Sequence, residues 1–216
     1  MNELKQAYDL LDEIKDVTDT EIIKATALKA FELSNECIEA AIILSKLTEN
    51  FLDRESILLK SYNAINNDTS KERLNLELAY LYNDYGMLKK SLDLLQSINN
   101  DELKKQAKYK IMTLLTHFED ETIEEFYKNN VDSNDNVDYV RMSFPYMIYK
   151  YKKFDFDKAK ELFNTIGKLN PYIIKVIMSD VGDDNDEIKE TYKVFKNNAI
   201  LINESPYIIK FLVDLC

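Results

Sequence analysis

Glycine and proline are nearly missing: three of each occur in 216 residues, alongside one histidine, two cysteines and no tryptophan. Sheets and glycine-rich active-site loops depend on residues that reach positive φ, and so few glycines supply few such turns. Helices joined by short polar connections need almost none. Cys37 and Cys216 lie far apart, and no Cys-x-x-Cys or Cys/His cluster is present. That excludes a disulfide framework or zinc motif and makes a reducing cytoplasm the simple expectation. No apolar run approaches the ~18 residues of a membrane span, so no membrane partner is expected. The opening MNELKQAYDLLDEIKD is charged and amphipathic, unlike a signal peptide. Arginine is limited to Arg54, Arg73 and Arg141, and the net charge is −11. Such a mean field repels a polyanion, so nucleic acid is not an expected partner either.

What is there reads as helix almost throughout. Apolar residues recur with a 3.6-residue period between short polar breaks, which predicts about thirteen helices. They fall near 2–16, 19–33, 36–48, 50–65, 70–84, 87–98, 102–117, 121–129, 137–152, 156–168, 171–180, 186–201 and 206–216. Asp19 is a plausible N-cap, Asp155 caps the tenth helix, and Pro171 sits where an N1 proline belongs. Ser205-Pro206 should open the last helix in the same way. Pro145 should kink its helix or break it early. Connections of two to six residues make neighbours antiparallel. The fold class expected is therefore all-α, with an N-terminal helical region over 1–68 and helical hairpins over 69–216, in what reads as one continuous domain.

A period near 34 residues gives those helices an architecture. In LNLELAYLYNDYGMLKKSLDLLQSI, the residues Leu78, Ala79, Tyr82, Gly86, Ser91, Leu95 and Ile98 resemble a tetratricopeptide repeat, although Asn75 stands where the early aromatic belongs. Two periods on, YMIYKYKKFDFDKAKELFNTIGKLNP repeats the pattern with Ala159, Phe163, Ile166 and Pro171, and Phe154 takes the turn position. Between them a degraded copy places Phe118 at the turn. Upstream, Phe31, Ala40, Leu44 and Leu47 stand at similar offsets but half a period out of phase. Either that match is accidental or an unpaired helix at 50–65 interrupts the array. The resemblance implies a right-handed α-solenoid of antiparallel hairpins, closed by the apolar C-terminal helix as a cap or, less readily, by a homodimer contact through it.

Catalytic chemistry finds no foothold. No GxxxxGK[ST], GxGxxG, HExxH or GxSxG occurs, and His117 is alone. Asp132, Asn134, Asn136 and Asp138 alternate as in a calcium loop, but Val137 replaces the turn glycine and Ser143 the bidentate glutamate. The second acidic loop has Gly182 in the wrong place. Solvated loops and helix caps account for both, and no enzyme activity, metal or cofactor is expected.

By the resemblance, the first helix of each hairpin lines a concave groove. That places Arg73, Tyr80 and Asn83, then Lys105, Lys108 and Met112, then Arg141, Phe144, Ile148 and Tyr151 along it. Four basic residues among aromatics in an acidic chain would suit a protein or peptide partner with acidic or carboxylate character and apolar anchors. The lysine- and asparagine-rich usage also points to an AT-rich genome, such as a low-GC bacterium or its phage. Tetratricopeptide proteins of such sources include peptide-responsive regulators, and a phage or immunity-type inhibitor has similar physics.

Overall fold

A computed structural model describes residues 2–177, 186–205 and 207–215. Every regular element among them is a helix, and none is long and apolar enough to cross a membrane. The chain forms two compact units, Met1–Ala107 and Lys108–Cys216. The first contains α1 (Glu3–Asp12), α2 (Thr20–Leu33), α3 (Ile38–Leu47), α4 (Phe51–Ala64), α5 (Asp68–Asp84) and α6 (Leu88–Gln96). The unit boundary falls inside α7 (Asp101–Phe118). The second unit adds α8 (Ile123–Asn130), α9 (Asn136–Lys152), α10 (Phe156–Leu169), α11 (Tyr172–Ile177), α12 (Asp186–Asn197), α13 (Ala199–Glu204) and α14 (Ile208–Val213). The 68/69 division drawn from sequence lies within the first unit, where α4 packs on α5.

The helices start where short polar side chains can satisfy orphan amides. Asn2, Asp19, Asn50, Asn67, Asp135 and Asp155 each accept a hydrogen bond from an N–H two or three residues on, and Asn100 does the same at α7. Each such cap contributes roughly 1 kcal/mol. Capped by Asn67, α5 begins at Asp68, two residues before the expected start near 70.

Helix ends are more informative. Past α5, α7 and α9 the chain turns through a residue of positive φ: Gly86 (74°), Glu119 (51°) and Phe154 (61°). At each end the next N–H bonds back to a carbonyl in the last turn: Met87 to Tyr82 (2.8 Å), Asp120 to Leu115 (3.0 Å) and Asp155 to Lys150 (2.9 Å). The positive-φ residue itself bonds to the following carbonyl, those of Asn83, Thr116 and Tyr151. This is the Schellman closure, made three times at intervals of 33 and 35 residues. The middle turn is at Glu119, one residue after the expected Phe118. The α2–α3 connection has no positive-φ residue, so the upstream match at Phe31–Leu47 lacks this turn.

Packing follows sequence order within each unit. Ala7, Ala27, Ala30, Phe31, Ala40, Ala41 and Leu44 join α1, α2 and α3 in one cluster. Ile38 and Ile42, on another side of α3, join Leu58, Leu74, Leu78, Leu81 and Tyr82 in a second. In the α5–α6 hairpin, Ala79 and Ser91 are fully buried, as the small contact residues of the pattern require, and the Ser91 hydroxyl donates to the Ala79 carbonyl (2.7 Å).

Two expectations are corrected. The early break allowed for at Pro145 does not occur, since α9 runs on through it, and the Pro145 carbonyl accepts from Thr116 Oγ1 (3.2 Å). The single helix expected over 186–201 is two, α12 and α13, parted at Asn198. The Asn198 amide donates to the Val194 carbonyl, competing with the helical ladder. Pro206 and Cys216 lie outside the described residues, as do 178–180 of the eleventh expected helix. The last helix begins at Ile208, with no side-chain cap bond.

A Cβ built on Gly86 meets nothing within 4 Å, so the cost of a side chain there is conformational alone. Gly86→Ala is expected to lower stability by about 1 kcal/mol. Phe154→Gly, which relaxes the same backbone geometry in a residue 79% exposed, is expected to raise it by a similar ~1 kcal/mol. Urea unfolding midpoints at constant m-value read both changes.

Candidate partner-binding surface

The ten residues expected to line one groove fall into two settings, one in each compact unit. In the first unit, Arg73, Tyr80 and Asn83 lie on α5 and Lys105 on α7. Arg73 reaches back to Glu39 of α3 (2.6 Å), and Lys46 of α3 reaches forward to Glu77 of α5 (3.1 Å). Tyr80 is half-buried and donates to the Gln106 carbonyl (3.2 Å). Tyr8 of α1 stands beside Glu39, and burial together with that carboxylate pushes its phenol pKa up. The alternate helices α1, α3, α5 and α7 are thus linked by a row of polar side chains. Lys105 is exposed and pairs with Glu102 one turn back (2.7 Å).

In the second unit the corresponding face is covered by the chain's own C-terminal helices. Glu190 of α12 binds Arg141 of α9, and Lys193 and Arg141 together hold the Glu190 carboxyl below its ordinary range. Phe195 meets Phe144 edge-on at 5.2 Å. Asn198 Oδ1 accepts from Thr113 of α7 (3.0 Å). Glu204 of α13 lies 2.7 Å from His117 Nδ1 and 3.7 Å from Lys152 Nζ. Phe211 of α14 packs on Tyr151 (4.9 Å) and Phe156 (6.0 Å), so the last helix lies against the α9–α10 hairpin. Met112, Phe144 and Ile148 are therefore completely buried. They belong to the core of this unit and not to an open groove, which corrects their assignment.

Lys108 is not available to a partner either. It is largely enclosed, at 16% side-chain exposure, and paired with Asp138, and it also donates to the Asn130 carbonyl (3.3 Å). Asp138 accepts in addition from the Tyr109 hydroxyl (2.7 Å) and the Asp132 N–H (2.8 Å). Burial alone would raise the Asp138 pKa, but the bonds from Lys108, Asp132 and Tyr109 outweigh it and leave the carboxyl below its ordinary value. Burial and Asp138 push the Tyr109 phenol up to about 12. The alternating acidic residues from Asp132 to Asp138 thus serve the start of α9: Asp135 caps it, and Asp138 turns inward. Among the described residues no group of three or more His, Cys, Asp or Glu side chains converges as metal ligands. Gly182 and its loop lie outside the described residues.

Cavities open beside these elements, two of them across several helices. One of about 380 Å³ in the second unit is walled by Val137, Arg141, Leu169, Tyr172, Glu190 and Val194. Another of about 370 Å³ in the first unit crosses α4, α5 and α6 and is lined by Leu59, Tyr62, Asn75, Leu78, Tyr82 and Lys90, among others. Sequence reasoning found neither. It also missed the covering of α7 and α9, although Ile188, Thr191, Val194 and Asn198 recur at helical spacing and are all buried. No family model matches the chain, and no curated protein matches it as a relative.

Removing the Asp138 charge leaves Lys108 largely enclosed without its ion-pair partner. Asp138→Asn is expected to cost about 3 kcal/mol at neutral pH. Because the folded pKa of Asp138 is depressed, its contribution is in place above the unfolded value near ~4 and is lost as pH falls through the folded value. The variant's stability should therefore fall less steeply than the wild type's below about pH 4. Thermal unfolding across pH checks both effects.

Proposed function

We propose that the chain is a non-catalytic binding protein, a right-handed array of tetratricopeptide-like hairpins that presents a helical face to a protein or peptide. One observation carries this reading: the same Schellman closure recurs at Gly86, Glu119 and Phe154, close to the period of the sequence repeat. Repeated hairpins of this kind lay their first helices side by side, and such surfaces serve recognition.

The face argued for is that of the first unit, carried by α3, α5 and the start of α7. Arg73, Lys46 and Lys105 are held there by partly or fully exposed carboxylates. Exposed ion pairs of this sort contribute roughly 0–1 kcal/mol, so an incoming carboxylate can replace Glu39 on Arg73 at little cost. Tyr80 supplies a half-buried ring beside them. A protein or peptide with acidic or carboxylate character and apolar anchors fits this surface, as the sequence suggested. The equivalent face of the second unit already holds such an occupant in α12: a glutamate on Arg141 and an aromatic ring on Phe144. That internal contact supports the ligand chemistry proposed for the open face. The apolar side of α14 is spent on Tyr151 and Phe156, which weakens the case for a homodimer through it.

Peptides selected from a random library on the full chain provide the test. Arg73→Glu and Tyr80→Ala are each expected to weaken the selected peptides by tenfold or more, Arg73→Glu with little change in melting temperature. Calorimetric affinities unchanged by both substitutions would remove this face from the reading.

A further inference from the structure

The cavity across α4, α5 and α6 has a counterpart that is filled. Asn67 and Asp135 cap α5 and α9, and Gly86 and Phe154 close them, so positions on the two helices correspond at a separation of 68. On α9 the relevant pair is Ser143 and Tyr146. Tyr127 of α8 stacks on Tyr146 (4.1 Å between ring centroids, 17° between planes), and its hydroxyl is 2.7 Å from Ser143 Oγ. Those two rings close the space, and Ser143 is fully buried. On α5 the same positions are Asn75 and Leu78, and both line the open cavity of about 370 Å³. A short polar residue and a leucine stand where the other hairpin has a hydroxyl bonded to one ring and a second ring stacked upon it.

Two lysines stand at this cavity, Lys90 in its lining and Lys71 against the Tyr62 ring that lines it. Lys71 lies over the Tyr62 ring at 5.3 Å and Lys90 over the Tyr82 ring at 5.2 Å. Neither forms an ion pair among the described residues. The counterpart of Lys90 on the other hairpin, Lys158, is paired with Glu161 (2.7 Å). At the cavity, Asp93 is instead taken by Lys89 (3.1 Å). On the inner wall the Tyr82 hydroxyl donates to Glu55 (2.6 Å). In a chain of net charge −11, two unpaired ammonium groups beside an apolar hollow mark a local reversal of sign. Cavities that bind ligands run from roughly 300 to 1,000 Å³, so this one is of a size for a single large side chain.

We propose that this cavity is an anchor site for one aromatic side chain of an acidic partner peptide, whose flanking carboxylates meet Lys71 and Lys90. The ring takes the place that the stacked tyrosines fill in the other hairpin, against Leu78, Leu94 and Tyr62. The carboxylates supply the ion pairs that the two lysines lack. The inference rests on the reading of the chain as a partner-binding protein and assigns a second contact point to it, separate from the face around Arg73.

The test is an NMR titration of the full chain, observing leucine methyls, with three blocked peptides: acetyl-Asp-Trp-Glu-amide, acetyl-Lys-Trp-Lys-amide and acetyl-Asp-Gly-Glu-amide. Only the first is expected to shift Leu78 and Leu94 in a saturable way. Asn75→Trp, which fills the cavity from within, should reduce that affinity at least tenfold and hold or raise the melting temperature. If that variant fails to fold, Lys71→Glu with Lys90→Glu, both on the rim, should give the same loss. An equal response to the lysine peptide, or affinity untouched by either set of substitutions, overturns the site. Library-selected peptides that are weakened by Arg73→Glu but not by Asn75→Trp would overturn this site and leave the partner-binding reading standing.

Discussion

A residue of left-handed backbone, one position past the end of a helix, is the constraint on which the hairpins depend. It frees the chain from the helical ladder and satisfies two of the last orphan carbonyls, so the next helix starts two to four residues after the reversal. Glycine accepts this geometry freely at Gly86. Glu119 and Phe154 accept it at a cost, and they keep it because the flanking helices are already fixed by buried contacts: Thr116 against Pro145 on one side, Ala159 and Phe163 on the other. Short reversals in turn fix which helices are neighbours, and neighbours fix which side chains form each core.

Electrostatics act on top of that frame in two ways. Where a carboxylate is buried, as at Asp138, it is surrounded by donors and becomes part of the scaffold. Where ion pairs are exposed, as between α3 and α5, they decorate the surface and are cheap to exchange. The same residue types therefore have opposite meanings in the two places. Lys108 and Arg73 both read as groove cations in a linear sequence, yet only Arg73 is open to a partner.

Much of the helix layout was legible in the sequence because period, caps and turn residues are local signals. Asp19 and Asp155 act as caps as read, and Gly86 and Phe154 stand at the reversals assigned to them. The groove was only partly legible, because burial is not local. Met112, Phe144 and Ile148 are apolar positions on their helices, and whether such positions are open depends on α12 to α14; Glu190 is 49 residues from the Arg141 it binds. The break at Asn198 was hidden for a similar reason. Its side chain is anchored by Thr113, whose hydroxyl donates to Asn198 Oδ1 from 85 residues away. The departure of Asn75 from the repeat pattern was legible, but the cavity beside it was not, because a missing ring becomes a hollow only if no neighbour leans in.

The helix α3 contributes to two clusters at once, Ala40, Ala41 and Leu44 to one and Ile38 and Ile42 to the other. A repeat array whose units touch only their neighbours can fray from its ends, unit by unit. A helix shared by two cores removes that freedom locally. Amide exchange in α3 should then report a single opening free energy for α1 through α5, so the first unit behaves as one cooperative block in which the loss of either core is felt by both.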